Sequence, residues 1–243
     1  MFILLVAGLF ISLYSEYSPN PVFGKMPLME GKETRIGITG SILWSVVTTA
    51  VSNGSVNAMH DSLTPVSGMI PMINLMTGEV IFGGVGAGLY GMVIFIVLTV
   101  FISGLMVGRT PEYLSKKIES REVRMAVLAV LIPNFIILCF SALAIITDAG
   151  LSGIKNPGPH GLSEILFAYS SAAGNNGSAF AGLDTNTVFY NLTLGFGMLA
   201  GRFGVIIPVL AMAGSLSQKK FTPHSTGTFR TDNILFKIGR AHV

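Results

Sequence analysis

The sequence predicts an all-α polytopic membrane protein built from tandem units of span, half-span helix and span. Three observations carry that reading. Only 11% of the 243 residues are charged, against roughly 25% in an ordinary globular protein. Apolar residues make up 51% of the chain and its mean hydropathy is +0.67. Residues 80–107 and 125–147 contain no charge and 187–216 contain only Arg202, each run exceeding the roughly 20 residues that a helix needs to cross the hydrocarbon core. The third observation is an internal repeat. Displaced by 123 positions, residues 41–58 overlie 164–181 with seven identities in eighteen positions, and Trp44 faces Phe167. Further on, GLMVGR at 104–109 mirrors GMLAGR at 197–202, so each unit reads as a long span ending in Gly-Arg.

The elements follow in order. Residues 1–14 are apolar but only half a span long, with no basic residue ahead of them and no clear cleavage site, so they read as a first span whose beginning is missing and not as a signal peptide. Residues 36–50 and 162–173 are apolar half-spans, and each runs into a small polar tetrapeptide, SNGS at 52–55 and NNGS at 175–178. Non-helical backbone at membrane depth is tolerated where it lines a cavity or is buried in protein. Gly108 stands 54 positions after Gly54, whereas Gly201 stands 24 after Gly177. An unbroken helix over 62–107 would be about 69 Å long, more than twice the hydrocarbon thickness. It must break, and six glycines between 78 and 91, preceded by Pro65 and Pro71, mark where.

Positive charge sets the orientation. Arg109, Lys116, Lys117, Arg121 and Arg124 cluster in the loop 109–124, and Lys219 and Lys220 follow the last span, so both regions are expected on the cytoplasmic side. The loop 148–161 is then external, and 15–35, with three basic and three acidic residues, decides little. The net charge of +3 thus speaks to orientation, and no nucleic-acid partner is expected. Cys139 is the single cysteine, which excludes a disulfide framework or a Cys-based metal site. The units are expected at 1–124, with an insertion at 78–91, and at 125–218, followed by a tail at 219–237. The terminal IGRAHV, 238–243, reads as a translated sequencing adapter and stands outside the fold reasoning, and the chain reads as a fragment at both ends.

The two tetrapeptides suit one chemistry. An ion leaving water needs its hydration shell replaced by oxygens at similar distance, and backbone carbonyls from several equivalent loops do this without a fixed charge. Glycine lets carbonyls turn inward, and Ser and Asn can bond outward-facing amides. Half-helices ending at the loops add oriented dipoles. On that reading Ser52, Asn53, Gly54, Asn175, Asn176 and Gly177 form ion-selecting loops supported by Ser55 and Ser178.

Several long runs resemble the KdpA family, the potassium-binding subunits of bacterial potassium-transporting P-type ATPases, within the superfamily of potassium transporters. They are MEGKETRIG (29–37), VNAMHDSLTP (56–65), GEVIFGGVGAGLYGM (78–92), GLMVGRTPEYLSKKI (104–118), NPGPHG (156–161), NNGSAFAGL (175–183) and GRFGVIIP (201–208). The resemblance implies a potassium-channel-like fold of four span–pore-helix–span repeats around one pore, of which this chain holds the third and fourth. It implies that potassium is the transported substrate, bound by backbone carbonyls of the six loop residues, with no other cofactor. It implies a gating loop at Gly83, Gly84, Gly86 and Gly88, and an inner cavity or pore bordered by Glu79 and Arg202. It also implies a bacterial inner-membrane location, a P-type ATPase catalytic subunit and small accessory membrane subunits as partners.

Two departures from the resemblance stand out. Family members tend to have Cys where this chain has Asn53, and Asn where it has Gly174.

Other residues read as structural. Arg109 is expected to anchor the basic loop, His60 and Asp61 to cap a helix or pair ahead of binding an ion, and Cys139 and Trp44 to pack. There is no GxxxxGK[ST] or DKTG-like motif and no nucleophile–base constellation, so ATP hydrolysis is expected in another subunit. The alternative reading is a channel-like subunit of a gradient-driven potassium transporter of the same superfamily. A third, a transporter with broken helices, predicts inverted repeats, whereas both copies here run the same way.

Overall fold

The computed structural model describes residues 1–19, 28–84, 87–221 and 228–229. It is predominantly helical: α1 (Phe2–Tyr17), α2 (Gly37–Ala50), α3 (Pro65–Met76), α4 (Ala87–Val107), α5 (Ser120–Ile146), α6 (Asp148–Leu151), α7 (Pro159–Gly174) and α8 (Val188–Gln218). Of these α4, α5 and α8 are long and apolar enough to cross a membrane. The half-spans expected at 36–50 and 162–173 are α2 and α7. The break expected in the insertion falls after Met76, and α4 begins at Ala87. Pro71 does not take part in it. Pro65 opens α3, where its missing N–H is harmless, while Pro71 sits inside the same helix.

The chain divides into two compact units. One comprises Met1–Leu89 and Pro133–Arg202. In it, Ile38, Ile42 and Val46 recur every fourth residue on α2 and meet Leu63 with Leu5, Leu9 and Leu13 of α1, so that two helical stripes face each other. A second core joins Ala144, Ile165, Tyr169 and Tyr190. Both phenols there are satisfied: Tyr190 donates to the Gly150 carbonyl at 2.8 Å, and Tyr169 bonds the Thr193 hydroxyl at 2.8 Å. Lys32 and Glu16 form an ion pair at 3.1 Å with neither side chain exposed. The other Glu16 oxygen accepts from the Thr64 amide at 2.7 Å and its hydroxyl at 2.9 Å.

The other unit comprises Tyr90–Ile132 and Phe203–Val243. Its core is Ile94, Val97, Val100, Ile118, Ala126, Ala129 and Met212. The loop 109–124 departs from the all-α expectation. Strands β1 (Thr110–Tyr113) and β2 (Lys116–Lys117) pair antiparallel, and β3 (Thr228–Phe229) adds to β1 in parallel. Leu114 and Ser115 make the two-residue turn with φ of +50° and +59°, the sign required by a type I′ hairpin. Lys116 and Lys117 of this loop and Lys219 after α8 are engaged. Lys116 donates to the Leu216 carbonyl at 2.6 Å, at the negative end of α8. Lys219 donates to the buried Glu122 carboxylate at 2.7 Å and to the Lys117 carbonyl at 2.9 Å. It also lies 3.2 Å from Glu119, whose carboxyl it holds below the usual carboxylate range. Of the expected tail, only 219–221 and 228–229 belong to the described residues; 238–243 lie outside them.

Candidate functional site

The loops at the ends of α2 and α7 have the same backbone wiring. The Asn53 amide donates to the Thr48 carbonyl at 2.9 Å, and 123 residues later the Asn176 amide donates to the Ser171 carbonyl at 3.0 Å. The Ser55 amide donates to Asn53 Oδ1 at 2.9 Å, and the Ser178 amide to Asn176 Oδ1 at 2.9 Å. Ser52 and Asn175 both take the left-handed conformation, with φ of +56° and +57°. Asn bonding a loop amide is as the sequence suggested; Ser55 and Ser178 take part here through their own amides. The asparagine side chains hold the loops, while Ser55 and Ser178 supply the amides. Ser178 is buried and its hydroxyl has no partner among the described residues.

Two residues that sequence reading passed over tie the first loop down. The Thr48 hydroxyl lies 2.6 Å from the Asn53 carbonyl and 2.9 Å from that of Ser55. Trp44, expected only to pack, donates its indole N–H to the Ser55 carbonyl at 3.1 Å. In the second loop Ser171 stands where Thr48 does and accepts from the Gly177 amide at 3.1 Å. The 123-residue displacement sets hydroxyl over hydroxyl here, which a count of identities ignores and which does not say what either hydroxyl bonds.

The loops touch. A Cβ on Gly54 would lie 2.6 Å from the Asn176 carbonyl oxygen and 3.0 Å from Gly177 Cα, inside van der Waals contact with backbone. Gly177 itself has φ of +93°, which side-chain-bearing residues seldom adopt. Two main chains with polar groups therefore meet at one point within the first unit.

The glycine-rich segment docks on the same place. The Phe82 and Gly83 amides donate to the Ala50 carbonyl at 3.1 and 3.0 Å, closing the end of α2. A Cβ on Gly84 would lie 3.3 Å from Ser52 Cβ. Gly83 and Gly88 cross so tightly that a Cβ on Gly88 would reach 2.7 Å from the Phe82 carbonyl carbon. Gly86 lies outside the described residues. Glu79 is buried and its carboxylate accepts from the Asn176 side-chain amide, joining this segment to the second loop. Arg202 is exposed along α8 and makes no ion pair with Glu79 among the described residues.

The matching Gly-Arg pairs diverge. Gly108, at φ of +67°, ends α4, and the Arg109 amide returns to the Gly104 carbonyl at 3.0 Å. At Gly201–Arg202 the helix continues to Gln218, as the apolar run 187–216 predicts, so the Gly-Arg match marks a helix end only in the first copy. Gly201 serves a close contact instead. A Cβ there would lie 2.8 Å from the Ala173 carbonyl carbon, so its absence lets α8 touch the end of α7.

Comparison with known proteins adds chemistry to this geometry. The family model described as Potassium-transporting ATPase A subunit matches residues 1–243. Relatives named potassium-transporting ATPase potassium-binding subunit include one from Pseudomonas aeruginosa, 54% identical over 241 residues, covering 97% of this chain and 43% of that protein. One from Leptospira interrogans is 54% identical over 239 residues, with 98% and 43% covered. One from Methylobacterium nodulans is 58% identical over 237 residues, with 96% and 42% covered. The chain thus spans about two-fifths of the length of the relatives it matches.

Proposed function

The chain belongs to the family of the potassium-transporting ATPase A subunit, and from that premise we propose that it is the potassium-binding, channel-like part of an ATP-driven potassium uptake complex. Potassium enters from the outer side of a bacterial inner membrane and sheds water where the two tetrapeptide loops converge. Backbone carbonyls of Ser52, Asn53, Gly54, Asn175, Asn176 and Gly177 replace that water. Gly84 lies against Ser52; the segment bearing Gly83, Gly84, Gly86 and Gly88 gates the path, and Glu79 and Arg202 border it on the inner side. A P-type ATPase catalytic subunit, accompanied by small accessory membrane subunits, hydrolyses ATP; this chain's part is selection and passage.

The observation that carries the reading is the close approach of Gly54 to the Asn176–Gly177 backbone. Two loops of matching wiring that meet main chain to main chain bring carbonyl dipoles together, with the buried Glu79 carboxylate held beside them on the Asn176 side chain. Names of the relatives favour the ATP-driven reading over a gradient-driven one.

The test is a chimera in which this chain replaces the matching segment of the Pseudomonas aeruginosa relative, expressed in bacteria lacking other potassium uptake. Growth at limiting potassium is expected with the native chain. Gly54→Ala and Gly177→Ala are each expected to lower potassium uptake by at least ~10-fold, since ~1.4 kcal/mol of misplacement suffices for that factor. Unchanged uptake in both variants would overturn the assignment of the loops.

A further inference from the structure

Two motifs unused by the potassium path, HDSLTP after the first loop and NPGPHG, which leads into the first turn of α7, come together in the first unit. His160 Nε2 bonds Asp61 Oδ1. Asn156 Nδ2 donates to Asp61 Oδ2 at 3.1 Å and to Glu164 Oε1 at 2.7 Å, orienting both carboxylates. One ligand atom each from Asp61, His160 and Glu164 lies within 4.8 Å of the others.

Two further observations point to a ligand. Glu164 is fully buried, and its Oε2 has no partner among the described residues. Gly182 provides the room: a Cβ there would overlap Glu164 Oε1 and stand 2.9 Å from Asp61 Oδ1. Its φ is not left-handed, so space and not conformation calls for glycine. Two carboxylates thus converge where a single imidazolium could balance only one of them, and an uncompensated buried charge is expensive.

We propose that Asp61, His160 and Glu164 bind a divalent cation of the zinc class, with Asn156 as the positioning residue that aims the carboxylates. Two carboxylate oxygens and one imidazole nitrogen form a donor set suited to a borderline metal; magnesium and calcium prefer oxygen alone. His160 is the mobile ligand, its side chain 44% exposed, and withdraws from Asp61 to admit the ion. The bound cation staples the turn after the first loop to the start of α7.

The full chain, purified in detergent and stripped with a chelator, is titrated with zinc, and retained metal is measured by mass spectrometry. One equivalent is expected, together with a rise in melting temperature. Asp61→Asn and Glu164→Gln, which keep shape, should each weaken zinc at least ~10-fold. His160→Gln, at a more exposed position, should do the same should the buried variants fail to fold, and His224→Ala should change nothing. Cobalt(II) in the same site should show a ligand-field spectrum that His160→Gln alters. Absence of stoichiometric zinc in the native chain, equal retention in the three ligand variants, or equal affinity for magnesium would each overturn the proposal.

Discussion

Gly54 and Gly177 hold equivalent places in two loops yet are glycine for different reasons. The first is needed because another backbone lies where its Cβ would be, the second because of its φ. The motif was legible in the sequence because both causes leave the same letter. What was not legible is the fastening. Thr48 is one of several hydroxyls on an apolar half-helix, and only the fold reveals that it reaches the carbonyls of Asn53 and Ser55. Thr48→Val preserves shape and removes the donor. It is expected to lower stability by about 1–3 kcal/mol, read from thermal unfolding in detergent. In the chimera it should narrow the preference for potassium over rubidium, because loosely held carbonyls discriminate size poorly. Asn53 gives its loop the same side-chain-to-amide turn as Asn176.

Helices were legible where length and apolarity decide them. The half-spans and long spans appear close to their expected places because a run without charge, bounded by small polar residues, leaves the backbone little choice. The hairpin at 110–117 was not, since its turn is Leu114-Ser115 and carries no Asn-Gly signal. The continuation of α8 past Gly201 was legible from the apolar run 187–216, but the role of Gly201 was not, since glycine reads equally as a stop and as a contact. The contact reading has a direct test. Gly201→Ala should cost well over 1 kcal/mol by forcing α8 from the end of α7, whereas Gly195→Ala, on the same helix with nothing near its added methyl, should stabilise by about 0.4–1 kcal/mol. Differential scanning fluorimetry of the two variants separates the cases.

Over the molecule as a whole, a composition poor in charge concentrates its few ionic groups into knots. Glu16, Lys32 and Thr64 form one in the first unit; Glu119, Glu122, Ser215 and Lys219 form another in the second. The basic loop was read as an orientation signal, and the structure shows its lysines also used as fasteners. Lys32→Met would strand a buried carboxylate and should cost about 3–5 kcal/mol. The double variant with Glu16→Gln should recover a good part of that loss, again by thermal unfolding.

The 31 residues of α8 measure about 46 Å, some half as long again as the greasy interior of a bilayer. Arg202 falls 14 residues from the start of that helix and 16 from its end, so a membrane centred on α8 puts the guanidinium at mid-depth, where contact with lipid chains would cost about 2.5–3.5 kcal/mol or more. The flank of α8 that bears this cation therefore looks onto water or onto further polypeptide, and fatty acyl tails must wet the other flank.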